Sequence, residues 1–114
     1  MAKAVLVAHV HPPTGPEHEA EFNRWYDEVH IPQVIERIPG IVGGRRYKYA
    51  EAQLTPQEVA PPHRYLALYE VDTDDLEATV GLLGAGLTDG TLDLTEALNV
   101  AEAPPVLHFY NPVA

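Results

Sequence analysis

Phe22-Asn23-Arg24-Trp25-Tyr26-Asp27-Glu28-Val29-His30-Ile31-Pro32 is an aromatic helix face that runs into a histidine two residues ahead of a proline. At about 100° per residue, Phe22, Trp25, Tyr26 and Val29 gather on one side, and His30 falls on its border beside Asn23, one turn past Tyr26. Proline removes a backbone donor and disfavours the helical conformation of Ile31. The helix is therefore predicted to bend or end here, leaving the Glu28 carbonyl without its usual partner. A histidine at a helix C-terminus feels a dipole that favours imidazolium, whereas burial beside aromatics pulls the other way.

Working outward, the 114 residues suit a single domain, 1–114, large enough for a core but short enough to gain from a partner subunit. Seven basic against seventeen acidic residues give a formal charge of −10, which repels phosphate backbones and anionic membrane surfaces. Nucleic acid and membranes are thus poor partners. The apolar run Ala4 to Val10 is too short for a signal-peptide core with a cleavage site or for a membrane span, so a cytoplasmic location is expected. With no cysteine present, thiolate nucleophiles, disulfides and cysteine metal sites are excluded. Any catalysis falls to histidine, carboxylate, tyrosine or backbone.

Lys3 to His11 reads as a strand that is apolar on both faces, stopped by Pro12-Pro13. Pro16 with Glu17, Glu19 and Glu21 opens a helix that runs to about Val29, and a second helical segment spans Pro32 to Arg37 before the turn signal Pro39-Gly40. Ile41 to Ala50 is a strand with a bulge signal at Gly43-Gly44. Glu51 to His63 is an exposed connection, and Arg64 to Val71 is the next strand. Asp72 to Asp75 caps a helix through Leu76, Val80 and Leu83, which Gly81, Gly84, Gly86 and Gly90 interrupt. The glycines form no phosphate fingerprint, and the loop they make suits either a lid or a plain connection. Thr91 to Asn99 suits another helical piece, and Val106 to Tyr110 a final strand.

The order βαββαβ is that of a ferredoxin-like split βαβ unit, α+β, with a four-stranded antiparallel sheet and helices on one face. Val5 and Val7 alternate with Leu6 and Ala8, and Tyr65, Ala67 and Tyr69 alternate with Leu66 and Leu68. Both faces of the sheet therefore need cover, and a second copy of the chain would supply it as a homodimer.

Phe22-Asn23, Trp25-Tyr26-Asp27, His30-Ile31-Pro32, Pro39-Gly40, Arg45-Arg46-Tyr47 and Arg64-Tyr65-Leu66-Ala67-Leu68-Tyr69-Glu70 resemble the EthD-like branch of the dimeric α/β-barrel proteins. The resemblance covers roughly residues 3 to 72, and the segment from Gly81 onward departs from it. It implies a barrel formed by two chains, with a cavity between helices and sheet that the His30 position faces. Relatives in the wider superfamily include lactone isomerases, polyketide cyclases, cofactor-free oxygenases and haem-degrading enzymes, so the resemblance implies a fold more firmly than a reaction.

Histidine moves protons near neutral pH, which makes His30 the candidate acid/base. Tyr26 and Asp27, four and three residues earlier, lie within reach on a helix surface, Tyr26 to donate to a substrate oxygen and Asp27 to orient the ring. The bland alternative is that His30 caps the Glu28 or Tyr26 carbonyls and holds the bend. Asn23, Trp25, His9, Arg45, Tyr65 and His108 are candidate substrate contacts. Each also has an ordinary structural reading: Trp25 as core, Arg45 as a surface ion pair, His108 as a core or interface residue. Of Arg45 and Arg46, only one can face a cavity, because neighbours on a strand point to opposite sides. His9 and His11 share a strand face but do not complete a metal-ligand pattern, so no metal and no cofactor are expected.

The sequence thus points to a cofactor-independent enzyme acting on a small cyclic or aromatic carbonyl compound as cyclase, isomerase or lyase. The alternatives are a non-catalytic binder of a small hydrophobic or aromatic molecule and, third, oxygen or haem chemistry with His9 as the axial candidate.

Overall fold

The computed structural model describes residues 2–11, 16–55, 64–95 and 105–113. Four strands, β1 (Ala2–Val10), β2 (Ile41–Lys48), β3 (Tyr65–Thr73) and β4 (Val106–Tyr110), make one antiparallel sheet in the order β2-β3-β1-β4. The helices are α1 (Pro16–Trp25), α2 (Ile31–Arg37) and α3 (Leu76–Gly86). This is the ferredoxin-like α+β arrangement that the sequence predicts, with β1 central and paired to β3.

Alternation along the strands decides the two faces. Ala4, Leu6, Ala8 and Val10 of β1 and Tyr65, Ala67, Tyr69 and Val71 of β3 are buried in one cluster with Phe22, Trp25, Tyr26 and Val34 of the helical layer. Val5, Val7, His9, Leu66 and Leu68 point to the other face and are only partly covered. The bulge expected near Gly43-Gly44 is present as a register shift between Ile41 and Gly43.

The first helix neither ends nor kinks at His30. It widens: Tyr26–His30 is a single π-turn in which the Ile31 N–H donates to the Tyr26 carbonyl, five residues back, and the chain then continues directly into α2. In a regular helix the ring of Pro32 would meet the carbonyl of Glu28, and inserting one residue into the turn relieves that clash. The same insertion serves the core. Phe22, Tyr26, His30, Val34 and Ile38 recur at every fourth residue and are all buried. An uninterrupted α-helix would let such a row drift by about 40° per step, and the wider turn takes up much of that drift.

Asp75 caps the start of α3: its carboxylate accepts the Ala78 N–H at 3.1 Å. Gly81 and Gly84 lie inside this helix on its exposed side, so they do not interrupt it as expected. Thr91 to Thr95 is not helical, and the rest of the expected helical piece lies outside the described residues. Residues 91–93 are instead stitched to the first helical layer. Leu92 is buried, Trp25 Nε1 donates to the Asp93 carbonyl at 2.9 Å, and Arg37 donates to the Thr91 carbonyl at 2.8 Å. Gln33 donates to the Asp93 carboxylate at 2.7 Å and accepts the Asp93 N–H at 2.7 Å.

The turn between α2 and β2 depends on Gly40, which has φ +101° and lies against Thr79 of α3, so a Cβ there would run into Thr79 Oγ1. Gly40→Ala is expected to lower the free energy of unfolding in urea by about 2–3 kcal/mol. Gly81→Ala, at an open helical position with no atom within 4 Å of the added Cβ, is expected to raise it by up to about 1 kcal/mol.

Candidate functional site

The π-turn delivers His30 into a layer of rings. Its imidazole stacks on Trp25, with centroids 4.5 Å apart and planes at 21°, and meets Tyr26 edge-on at 5.2 Å. His30 Nδ1 is fully buried and has no hydrogen-bond partner. Burial lowers the pKa of His30 to about 4. The opposing pull expected from a helix C-terminus is missing because the helix continues past it. At neutral pH the ring is therefore uncharged, with one nitrogen able to accept a proton.

On the sheet side, Tyr69 brings a second unsatisfied group. Its hydroxyl is buried without a partner, and its pKa is raised above the usual phenol range by burial and by Tyr26, with Arg46 opposing. Burial also pushes Tyr26 up to about 12, again against Arg46. Both phenols stay protonated and can donate. Native proteins leave few buried polar atoms unpaired, so two in one ring layer mark a place where a ligand could complete the bonding.

Arg46 is the cation of this layer. Its guanidinium lies 4.8 Å from the Tyr26 ring centroid, 5.2 Å from Tyr65 and 5.3 Å from Phe22. Nη2 donates to Asn23 Oδ1 at 2.7 Å and Nη1 to Asp27 Oδ1 at 3.2 Å, so the arginine is fixed at both ends of its fork.

The sequence-predicted residues divide accordingly. His30, Tyr26, Trp25, Asn23 and Tyr65 come together around this layer. Asp27 is 60 % exposed and pairs with Arg46, so it does not orient His30 as expected. Arg45 sits opposite Leu68 on the other face, and Arg46, opposite Ala67, is the arginine that enters. His9 belongs to the β1 set facing away from the helices and does not meet His30. His108, across from Val7, is on that same outer face, exposed beside Tyr110, whose hydroxyl is 3.5 Å from its Nδ1. The functional groups that sequence reasoning missed are Arg46 and the Tyr69 hydroxyl. The period-two pattern Tyr65, Ala67, Tyr69 places Tyr69 inside, whereas choosing between Arg45 and Arg46 required the β2–β3 register.

Cavities open at two places on the sheet among the described residues. One of about 490 Å³ lies at the end of the sheet, lined by His9, Tyr47, Lys48, Arg64 and Tyr65 among others, and one of about 220 Å³ lies at Lys3, Val5 and Tyr110. Neither reaches His30, but Tyr65 belongs both to the larger cavity and to the Arg46 cage.

The four-stranded antiparallel βαββαβ arrangement is shared with solved EthD-like structures. An EthD-like protein from Ralstonia eutropha JMP134 is 15 % identical, aligns over 100 % of this chain and 96 % of its own, and superposes with a TM-score of 0.55. A provisionally assigned monooxygenase from Shewanella loihica PV-4 is 10 % identical, covers 99 % and 96 %, and gives 0.50. No protein-family model and no curated protein matches the chain. No helix among the described residues is long and apolar enough to cross a membrane.

Arg46→Ala removes three ring contacts and two hydrogen bonds and is expected to cost about 2–4 kcal/mol in urea unfolding, with Arg46→Lys recovering only part because it cannot bridge Asn23 and Asp27 together. His30 makes stability depend on acid. Its folded pKa of about 4 lies below the ordinary 6.5, so the unfolded chain binds the extra proton first. The contribution is fully present above about pH 6.5 and is lost as pH falls toward 4, up to about 3 kcal/mol. Comparing urea midpoints at pH 7 and pH 5 for the wild type and His30→Gln checks this: the variant should show the smaller loss.

Proposed function

We propose that the ring layer around His30 binds a small cyclic or aromatic carbonyl compound and catalyses a proton transfer on it without a cofactor, as a cyclase, isomerase or lyase. The observation that carries this reading is the pair of buried, unpartnered groups, His30 Nδ1 and the Tyr69 hydroxyl, each of which neighbours Tyr26. A carbonyl oxygen accepts from a protonated phenol, and the acidified carbon beside it gives its proton to neutral His30. Developing negative charge is met by Tyr69, Tyr26 and the nearby Arg46 guanidinium. Asp27 acts at one remove, by holding Arg46.

A second reading is favoured by one specific observation. A histidine with a pKa of about 4 is a weak base, so the same layer also suits a non-catalytic binder of a small aromatic molecule. His30→Ala tests the enzyme once a turned-over compound is in hand: at least about a hundredfold loss of kcat, in folded protein, is expected. Unchanged kcat would remove His30 as the base, whereas a ligand that binds without ever being turned over would favour the binder.

We also propose that two copies pair through the outer sheet face, where Val5, Val7, Leu66, Leu68 and Val106 are only partly covered and Tyr47 and Tyr110 are each 49 % exposed. Leu68→Glu, at the middle of that face, should halve the mass seen by light scattering while the circular dichroism stays that of the wild type.

A further inference from the structure

The larger cavity lies outside the His30 layer, at the end of the sheet where β2 leaves and β3 enters. Its chemistry runs against the composition of the whole chain. Seventeen of the 114 residues are acidic and only seven are lysine or arginine. Yet among the described residues the lining of this cavity contains Lys48 and Arg64 and no aspartate or glutamate. Tyr47, Tyr49 and Tyr65 also line it, and the volume of about 490 Å³ falls in the range of small-molecule sites.

Both cations are exposed residues of the lining. Lys48 Nζ lies 5.7 Å from the centroid of the Tyr65 ring. The Tyr49 N–H donates to the Arg64 carbonyl at 2.7 Å, which ties the two strand ends together and sets the Arg64 backbone. The guanidinium of Arg64 reaches Glu19 of α1 at 3.7 Å, with both side chains partly open to water, 44 % and 31 % exposed. Such a long, hydrated ion pair contributes little and is readily exchanged for a better carboxylate partner. An arginine fork matches a carboxylate in two hydrogen bonds, a lysine adds a point charge, and tyrosine faces accept a flat apolar body.

We infer that this strand-end cavity is a binding site for an aromatic carboxylate, its anion held between Lys48 and Arg64 and its ring against Tyr49 and Tyr65. The acidic remainder of the surface repels anions, so the two cations make this the favoured landing point for one. The inference is independent of the proton-transfer reading, since His30 contributes nothing to the cavity.

The test uses the full chain and 2-naphthoate at low ionic strength, followed by calorimetry, with 2-naphthamide as its uncharged counterpart. One saturable site per chain is expected, weakened about tenfold by Lys48→Ala or Arg64→Ala and lost in the double variant. Lys3→Ala, at the other described cavity, should leave the affinity unchanged. No saturable binding by the folded wild type, equal affinity in the double variant, or equal affinity for naphthamide would each overturn the inference. Because all three substituted cations are exposed or at a strand end, circular dichroism suffices to establish that the variants stay folded.

Discussion

One hydrogen bond, from the Ile31 N–H to the Tyr26 carbonyl, organises the helical layer. It closes a turn one residue wider than an α-turn, immediately ahead of a proline that could not continue a regular helix without steric conflict. Without that extra residue the row Phe22, Tyr26, His30, Val34, Ile38 would rotate away from the sheet over four turns. With it, α1 and α2 act as one long amphipathic element. His30 is then part of the core rather than a residue at its border.

Everything polar in the site follows from that burial. Stacked on Trp25 and edge-on to Tyr26, the imidazole loses water and gains no hydrogen bond at Nδ1, so its neutral form is favoured. A nearby cation would then be costly unless it were held elsewhere. Arg46 is held elsewhere: its fork is committed to Asn23 and Asp27, and its face to three aromatic rings. The layer therefore combines an uncharged base, two protonated phenols and one anchored positive charge. On the proposed reading, that set would meet an oxygen-bearing aromatic molecule.

Much of this was legible in the chain. Alternation in Val5 to Val10 and in Tyr65 to Val71 gave the strands and their faces, the Asp72 to Asp75 cluster gave a helix start, and Gly43-Gly44 gave the bulge. The aromatic run and Pro32 announced a disturbance at His30, but not its form. A π-turn keeps the helical hydrogen-bonding going at a different spacing, and residue types alone do not separate that from a kink or an end. Arg45 against Arg46 was a question of strand register, which depends on partners far away in sequence. Asp27 was misassigned for a related reason: its helical proximity to His30 was real, but a guanidinium arriving from β2 offered a stronger partner. Gly81 and Gly84 read as breakers, yet tertiary support from Leu83 and the cap at Asp75 carries the helix through them.

The central claim is that the wider turn buries His30 as a neutral imidazole with an unpartnered nitrogen. Imidazole nitrogen and carbon chemical shifts, followed by NMR from pH 7.5 down to the acid limit of the fold, report its charge directly. The account predicts that the His30 ring stays uncharged throughout the range in which an exposed histidine titrates and gains its proton only near pH 4. Titration at or above about pH 6.5 would contradict it, because His30 would then be solvated or paired and the buried neutral site would not exist.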